Sequence, residues 1–320
     1  MNEGVKKGAG MKDAAKKLLP FASLIGLFVF LCIASPYFLT VGNLSSVIRQ
    51  TTVITIMAIG MTVVIATAGI DLSVGSIVGM TGVVGAMLIG AQFSTFTALI
   101  GAIVVGLACG ALNGASITLL QIPPFIATLG TLGMYRGLTL LMTGGIPVAN
   151  LKKDFGVLAN GNIFGIIPIP LVFVIAVGLL VHWVLNYTKL GRYAYAIGSN
   201  REAARCCGIR IGLYTLIIYA LGGALSGLAG MIDAARLVTG QPTAGDGYEL
   251  RVIAAVVIGG GSLSGGQGTV LGTIVGSLIM GLLSNGCNLL GVSPFMQQVI
   301  IGAVIVLAVS FDEYQKRRAS

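Results

Sequence analysis

The apolar runs of this sequence constrain its fold more than any other feature. The run over 52–68 carries no charged residue, and only 9% of the whole chain is charged, against about 25% in soluble domains. Backbone polar groups in lipid must bond to one another, so only helices and closed barrels span a bilayer. A helix needs roughly 20 apolar residues to do so, whereas a barrel strand shows only about ten alternating ones. The runs therefore predict membrane-spanning helices.

The predicted architecture is all-α, a polytopic transmembrane bundle of about ten spans. A short interfacial helix over 44–50 is expected before the second of them. The approximate spans are 20–39, 51–68, 76–89, 97–120, 125–142, 166–185, 213–232, 252–258, 269–290 and 296–310. Gly- and Pro-containing breaks follow the second span of each half, which favours two inverted five-helix halves, 20–165 and 166–312. The segment 252–268 is short and glycine-rich, so it either spans or is re-entrant.

Basic residues cluster in three places. Five lysines lie within the first 17 residues, five basic residues lie in the loop 188–212, and three more close the chain. Cytoplasmic loops carry such an excess of Lys and Arg. We therefore expect cytoplasmic tails over 1–19 and 313–320 on either side of a permease domain over 20–312. The net charge of +9 then reflects topology, and no nucleic-acid partner is expected.

The loop 188–212 is the longest polar interruption in the chain. Ala203 and Ala204 follow Glu202 and favour a short helix, which Gly208 is placed to end in a left-handed turn. Two interpretations remain open from these residues alone. The loop is either a solvated connection between spans, as charge runs usually are, or a basic knob that docks on a cytosolic partner.

The glycine-bounded break 69–76 contains Asp71 and Ser73. One interpretation is that either residue caps the following helix. The other places both near a permeation path, because ionisable groups within spans are costly and tend to line cavities. Asn113 is a lone polar residue in the fourth predicted span; it is a third candidate for the path, although an interhelical hydrogen bond also explains it.

The sequence offers no catalytic or metal-binding constellation. Its five cysteines show no metal-ligand spacing, and His182 is the only histidine. The phosphate-binding motif G-x-x-x-x-G-K-[ST] is missing as well. We therefore expect a chain that is not an enzyme and holds neither a metal nor a cofactor.

Several motifs occur together and in order along the chain. They are GIDLSVGS at 69–76, FIATLG at 125–130, GRY at 191–193 with EAA at 202–204, QPTAG at 241–245 with GYEL at 247–250, IAAVVIGG at 253–260 and NLLGV at 288–292. Together they resemble the permease subunits of bacterial ATP-driven sugar importers of the ribose type (carbohydrate uptake type 2). The resemblance covers nearly the whole chain. Members of that family move various monosaccharides, inositol or autoinducer-2, so it does not identify the solute.

The resemblance implies a homodimer in the bacterial inner membrane that moves a ribose-like sugar by alternating access. It implies a cytosolic ATP-binding subunit, which uses ATP and Mg, and a periplasmic sugar-binding protein. The coupling helix that docks on the ATPase would comprise Arg201, Glu202, Ala203, Ala204 and Gly208. Candidates for the surface that receives the binding protein are Gln241, Thr243, Asp246 and Glu249.

Other functions remain open. An ATP-driven permease for another small polar solute, such as autoinducer-2, inositol, a nucleoside or a branched-chain amino acid, fits the same features. An ion-driven secondary transporter would need intramembrane acid–base groups, for which Asp71 and Asp233 are the plausible carboxylates. A membrane-embedded enzyme fits least.

Overall fold

The computed structural model describes the backbone of residues 3–317 and the side chains of 18–310 and 313. The side chains of the predicted N-terminal tail therefore lie outside the described residues, apart from the last two, and so do those of the C-terminal tail, apart from Glu313. The domain boundaries proposed for these tails remain predictions.

The described residues form a helical bundle. Its α-helices are α1 Glu3–Ala34, α2 Val41–Ala66, α3 Val74–Gly90, α4 Thr95–Leu119, α5 Pro124–Thr143, α6 Val157–Asn160, α7 Ile169–Tyr187, α8 Lys189–Ser199, α9 Arg201–Cys206, α10 Ile211–Leu237, α11 Tyr248–Ile258, α12 Val270–Leu289 and α13 Pro294–Arg317. A 3-10 helix, Lys153–Gly156, precedes α6. Strands β1 (Asn162–Ile163) and β2 (Ile167–Pro168) form a small antiparallel hairpin before α7.

Six of the described helices are long and apolar enough to cross a membrane, namely α2, α4, α5, α7, α10 and α12. Three shorter apolar helical stretches are Leu18–Ala34, Val74–Gly90 and Pro294–Ser310. A polytopic helical bundle is thus confirmed, while ten spans and cytoplasmic termini remain predictions. Helix α11 has 11 residues and rises about 16 Å, roughly half of the hydrocarbon thickness.

The predicted division between an interfacial helix at 44–50 and a span from 51 is wrong, because α2 runs unbroken from Val41 to Ala66. Thr40 caps its first turn by accepting a hydrogen bond from Asn43 N at 3.3 Å. Arg49 suggested an interfacial position, but its guanidinium is satisfied by the segment that contains α6 and β1. It donates to Ala159 O at 2.7 Å and to Asn162 Oδ1 at 2.6 Å.

Helix α10 is the centre of the bundle and packs against α2, α3 and α4. Its contact with α4 is made of backbone against backbone: a Cβ built on Gly106 would lie 2.8 Å from Gly227 Cα, and one on Gly223 would lie 2.8 Å from Gly110 Cα. Small residues spaced by four are typical of such close helix pairs in membranes. The glycines of α4 and α10 follow this rule, whereas Gly133 and Gly137, which have the same spacing on α5, face open space.

Candidate functional site

The break after α2 places Asp71 at the beginning of α3. Ala68 turns the chain with a left-handed φ of 60°. Asp71 is fully buried, and its Oδ1 accepts hydrogen bonds from Ser73 N at 2.9 Å and from Ser73 Oγ at 2.7 Å. Ser73 makes no side-chain cap of its own. Asp71 thus closes a local turn ahead of α3 by accepting from the N–H of the cap residue itself. A side-chain cap would accept from the second or third N–H of the helix, so the predicted cap is not formed by Asp71 or by Ser73.

The three candidate path residues come together in one cluster. Asn113 Nδ2 donates to Ser73 Oγ at 2.7 Å and lies 3.4 Å from Asp71 Oδ2. Tyr135 OH lies 3.0 Å from Asn113 Oδ1 and 2.9 Å from the Cys109 carbonyl oxygen, and its single proton is shared between these two acceptors. The cluster ties the start of α3 to α4 and α5, and its side chains are bonded to one another. A role for Asp71, Ser73 and Asn113 in the permeation path remains a prediction.

The second break, residues 238–247, runs along α3 towards the start of that helix. Gly240 packs against Val83 and Ala86, and Gly245 packs against Gly75. Arg136 of α5 holds the segment by donating to the Pro242 carbonyl at 2.5 Å. Arg136 was not among the predicted site residues, although a lone arginine in an apolar run is a signal for a buried polar contact.

Three of the four residues predicted to receive the binding protein lie on this second break, and the fourth, Glu249, lies in the first turn of α11. Thr243 and Asp246 are exposed, whereas Gln241 and Glu249 are half-buried. Gln241 Nε2 donates to Thr243 Oγ1 at 2.9 Å, and Glu249 lies over Gly75, where an added Cβ would be 2.5 Å from its Oε2. The two breaks therefore meet where α3 and α11 begin, and docking at these residues remains a prediction.

Helix α9 is the short helix predicted within the loop 188–212, and Gly208 follows it with a left-handed φ of 78°. Asn200 caps it by accepting from Ala203 N at 2.9 Å. Glu202 and Arg205 are exposed and paired at 3.4 Å, a contact of little energetic weight in solvent. Ala204 alone in the helix is buried, against Ile197 and Ile211. The rest of its surface is free to meet a partner.

The preceding helix α8 fastens this segment to the ends of the membrane helices. Tyr195 OH donates to the Gly268 carbonyl at 2.6 Å. Burial raises the pKa of the Tyr195 phenol above its ordinary value. Gly266 N donates to Ala66 O at 3.0 Å, and Gly198 packs against both of those residues. Helix α8, the glycine-rich turn 259–268 and the end of α2 thus form one contact.

A cavity of about 220 Å³ lies beside this contact. It is lined by the end of α2 and the first break, by Ile197–Arg201 and by Tyr219 of α10, among others. Tyr219 OH donates to the Ile70 carbonyl at 3.3 Å. Arg201, one of the predicted coupling residues, therefore lines the same cavity as Gly69, which begins the break that holds Asp71. Among the described residues no group of His, Cys, Asp or Glu is arranged to hold a metal ion.

Comparisons with known proteins identify the family to which this chain belongs. The model of the family described as "Branched-chain amino acid transport system / permease component" matches residues 43–309. The ribose import permease protein RbsC of Escherichia coli K12 is 44% identical over 92% of this chain and 94% of its own length. RbsC of Bacillus subtilis 168 is also 44% identical, over 93% and 92%.

A more distant relative is the D-allose transport system permease protein AlsC of E. coli K12, 36% identical over 91% of this chain and 90% of its own length. No solved structure was found to match the chain. Because the family model covers most of the sequence and the apolar helices agree with it, this chain is a multi-pass inner-membrane protein that belongs to the family of branched-chain amino acid transport system permease components.

Proposed function

We propose that this chain is the membrane permease subunit of an ATP-driven (ABC) importer that carries a ribose-like monosaccharide into the cell. The observation that carries the proposal is the 44% identity to ribose import permeases of two distant bacteria, over nearly the full length of each chain. The relative for D-allose is less similar, at 36%, so ribose is the first sugar to test.

The permease works with other subunits. A cytosolic ATP-binding subunit supplies the energy with ATP and Mg, a binding protein delivers the sugar at the opposite face, and two copies of this chain form a homodimer. The chain itself holds no cofactor. The clustering of lysine and arginine supports cytoplasmic termini and about ten spans.

The coupling residues Arg201, Glu202, Ala203, Ala204 and Gly208 form the knob that meets the ATP-binding subunit. The exposure of α9 outside Ala204 supports this role, as do the contacts that join α8 to Ala66 and to the glycine-rich turn 259–268. A displacement of α9 is therefore transmitted through direct contacts to α2 and to the turn before α12. The helices that enclose the solute thereby change their tilt, so that the solute cavity opens to one face of the membrane and then to the other.

The test is sugar uptake by the complete importer in proteoliposomes. The wild-type complex accumulates labelled D-ribose only with ATP, and the permease alone accumulates none. In the double variant Glu202→Ala, Gly208→Ala, ATP hydrolysis continues while uptake is lost. Asp154→Ala, an exposed carboxylate in the opposite loop, is the control and retains uptake. Wild-type uptake in the double variant would refute the coupling assignment.

The same preparation distinguishes the ATP-driven importer from an ion-driven secondary transporter. Uptake that survives ATP depletion but stops when the proton gradient is dissipated would show an ion-driven transporter and refute the proposal. Competition by unlabelled D-allose measures how narrowly ribose is preferred.

A further inference from the structure

The cavity of about 220 Å³ beside the coupling segment carries charge of one sign. Arg201 is the one charged residue among the described residues that line it. Five others carry a hydroxyl or an amide: Thr67, Ser199, Asn200, Thr215 and Tyr219. The carboxylate of Asp71 does not line the cavity, and Ser73 bonds to its Oδ1. The cavity therefore favours an anion whose oxygens accept hydrogen bonds.

Thr215 gives the cavity a hydroxyl that has no protein partner. The residue lies near the start of α10, is only 6% exposed, and forms no side-chain hydrogen bond with the described residues. Thr52 and Thr55, for comparison, each donate to the carbonyl four residues earlier. Thr215 Oγ1 is also not one of the unpaired atoms that are sealed from the surface, so a molecule in the cavity can reach it. Buried polar groups are nearly always paired, which indicates a ligand here.

Arg201 supplies the positive charge, and the protein does not neutralise it. It forms no ion pair among the described residues, whereas Arg205 of the same helix is paired with Glu202 at 3.4 Å. A guanidinium binds phosphate through two parallel hydrogen bonds, and the remaining phosphate oxygens can accept from Thr215 and Ser199. The volume corresponds to about seven waters, which accommodates a small ester of phosphate.

We propose that this cavity binds a small soluble phosphate ester and that the bound anion slows transport. Arg201 belongs to the coupling segment and Thr215 to α10, so an anion held by both ties that segment to the centre of the bundle. The inference rests on the proposed function, in which the coupling segment faces the cytosol and moves when the ATP-binding subunit closes. A phosphoryl-transfer reaction that consumes the imported sugar would supply an ester of the required chemistry on that side.

The first test measures binding by the purified permease alone, so that the ATP-binding subunit plays no part. Inorganic phosphate and D-ribose 5-phosphate are titrated against the midpoint of thermal unfolding, which rises when a ligand binds the folded state. Phosphate also stabilises proteins non-specifically, because it is excluded from their surface. Two variants outside the cavity wall measure that contribution: Thr118→Val, whose hydroxyl donates to the Gly114 carbonyl at 2.8 Å, and Arg205→Gln.

Thr215→Val should weaken the apparent affinity for the ester about tenfold, the effect of one hydrogen bond to a charged group. Without ligand it should unfold no earlier than wild type, because its hydroxyl has no partner to lose. Arg201→Gln should abolish the saturable shift, Arg201→Lys should keep part of it, and both control variants should match wild type. Equal shifts in all variants would overturn the site.

Two further outcomes would overturn the chemistry of the ligand. A shift that depends on Thr215 and appears with neutral D-ribose but not with phosphate would overturn the choice of an anion. A shift of that pattern produced only by phosphatidylglycerol in the detergent micelles would overturn the soluble source.

The second test places D-ribose 5-phosphate, at a fixed ATP concentration, inside proteoliposomes that contain the complete importer. Wild-type uptake of D-ribose should fall as the ester saturates, and uptake by Thr215→Val should fall only at about tenfold higher concentration. Binding without any effect on uptake would overturn the regulatory role. A wild-type importer that shows no ATP-driven uptake without the ester would overturn the proposed function, and the binding measured on the permease alone is independent of that result.

Discussion

Replacing Gly110 by alanine should separate the two helices at the centre of the bundle. Gly110 lies on α4 directly against α10, where an added Cβ would stand 2.9 Å from the carbonyl carbon of Tyr219 and 3.0 Å from Ala220 Cα, with the Tyr219 carbonyl oxygen closer still. All three are backbone atoms of a helix, so no side chain can rotate away to make room. The helices must move apart instead.

The size of the effect follows from what is gained and lost. Forcing an extra carbon into a well-packed core typically costs 1–3 kcal/mol. Separating the helices also weakens the neighbouring contacts between Gly106 and Gly227 and between Gly114 and Leu216. Alanine regains at most about 1 kcal/mol of helix propensity over glycine. We therefore expect a net loss of about 1–2 kcal/mol of stability, read as a fall of several degrees in the midpoint of thermal unfolding in detergent.

The matched control is Gly137→Ala on α5. It is the same substitution at a glycine that also has a second glycine, Gly133, four residues away, but an added Cβ there meets no atom within 4 Å. Its unfolding midpoint should equal or exceed that of wild type. The reasoning is refuted if Gly110→Ala has the same unfolding midpoint as wild type, or if the two variants are destabilised equally.

Two further predictions concern single polar contacts. Tyr195→Phe removes the 2.6 Å hydrogen bond to the Gly268 carbonyl and leaves that buried carbonyl with one partner fewer. The ratio of sugar uptake to ATP hydrolysis in proteoliposomes should therefore fall. An unchanged ratio would contradict the proposed link between α8 and the turn 259–268. Asn43 of α2 and Asn285 of α12 exchange amide hydrogen bonds at 3.1 and 2.8 Å. A double-mutant cycle to alanine should give a coupling energy of about 0.5–3 kcal/mol in thermal unfolding. Additive effects of the two substitutions would show that the paired contact contributes nothing to stability.

Local features of the fold could be predicted from the sequence because their causes are local. The helix at 201–206 and its left-handed end at Gly208 follow from two alanines and a glycine. The close contact of α4 with α10 follows from glycines spaced by four. The boundary at residue 51 failed because Arg49 finds its partners at Ala159 and Asn162, more than 100 positions away.

The candidate site was harder to predict for the same reason. Asp71, Ser73 and Asn113 each stand out as polar residues in apolar runs, and the structure brings all three together. The partners of Tyr135 and Arg136 could not be predicted, because the Asn113 amide and the Pro242 carbonyl lie on other segments of the chain. Only the three-dimensional arrangement shows these contacts.

Helix α2 joins two of the contacts described above. Arg49 near its start donates to the Ala159 carbonyl, and the Ala66 carbonyl at its end receives the hydrogen bond from Gly266; the two residues are about 26 Å apart along the axis at 1.5 Å per residue. The helix between them contains no proline and packs on α10, so it lacks the commonest cause of a sharp kink. If α8 moves when the ATP-binding subunit closes, we expect α2 to carry that displacement from Ala66 towards Arg49.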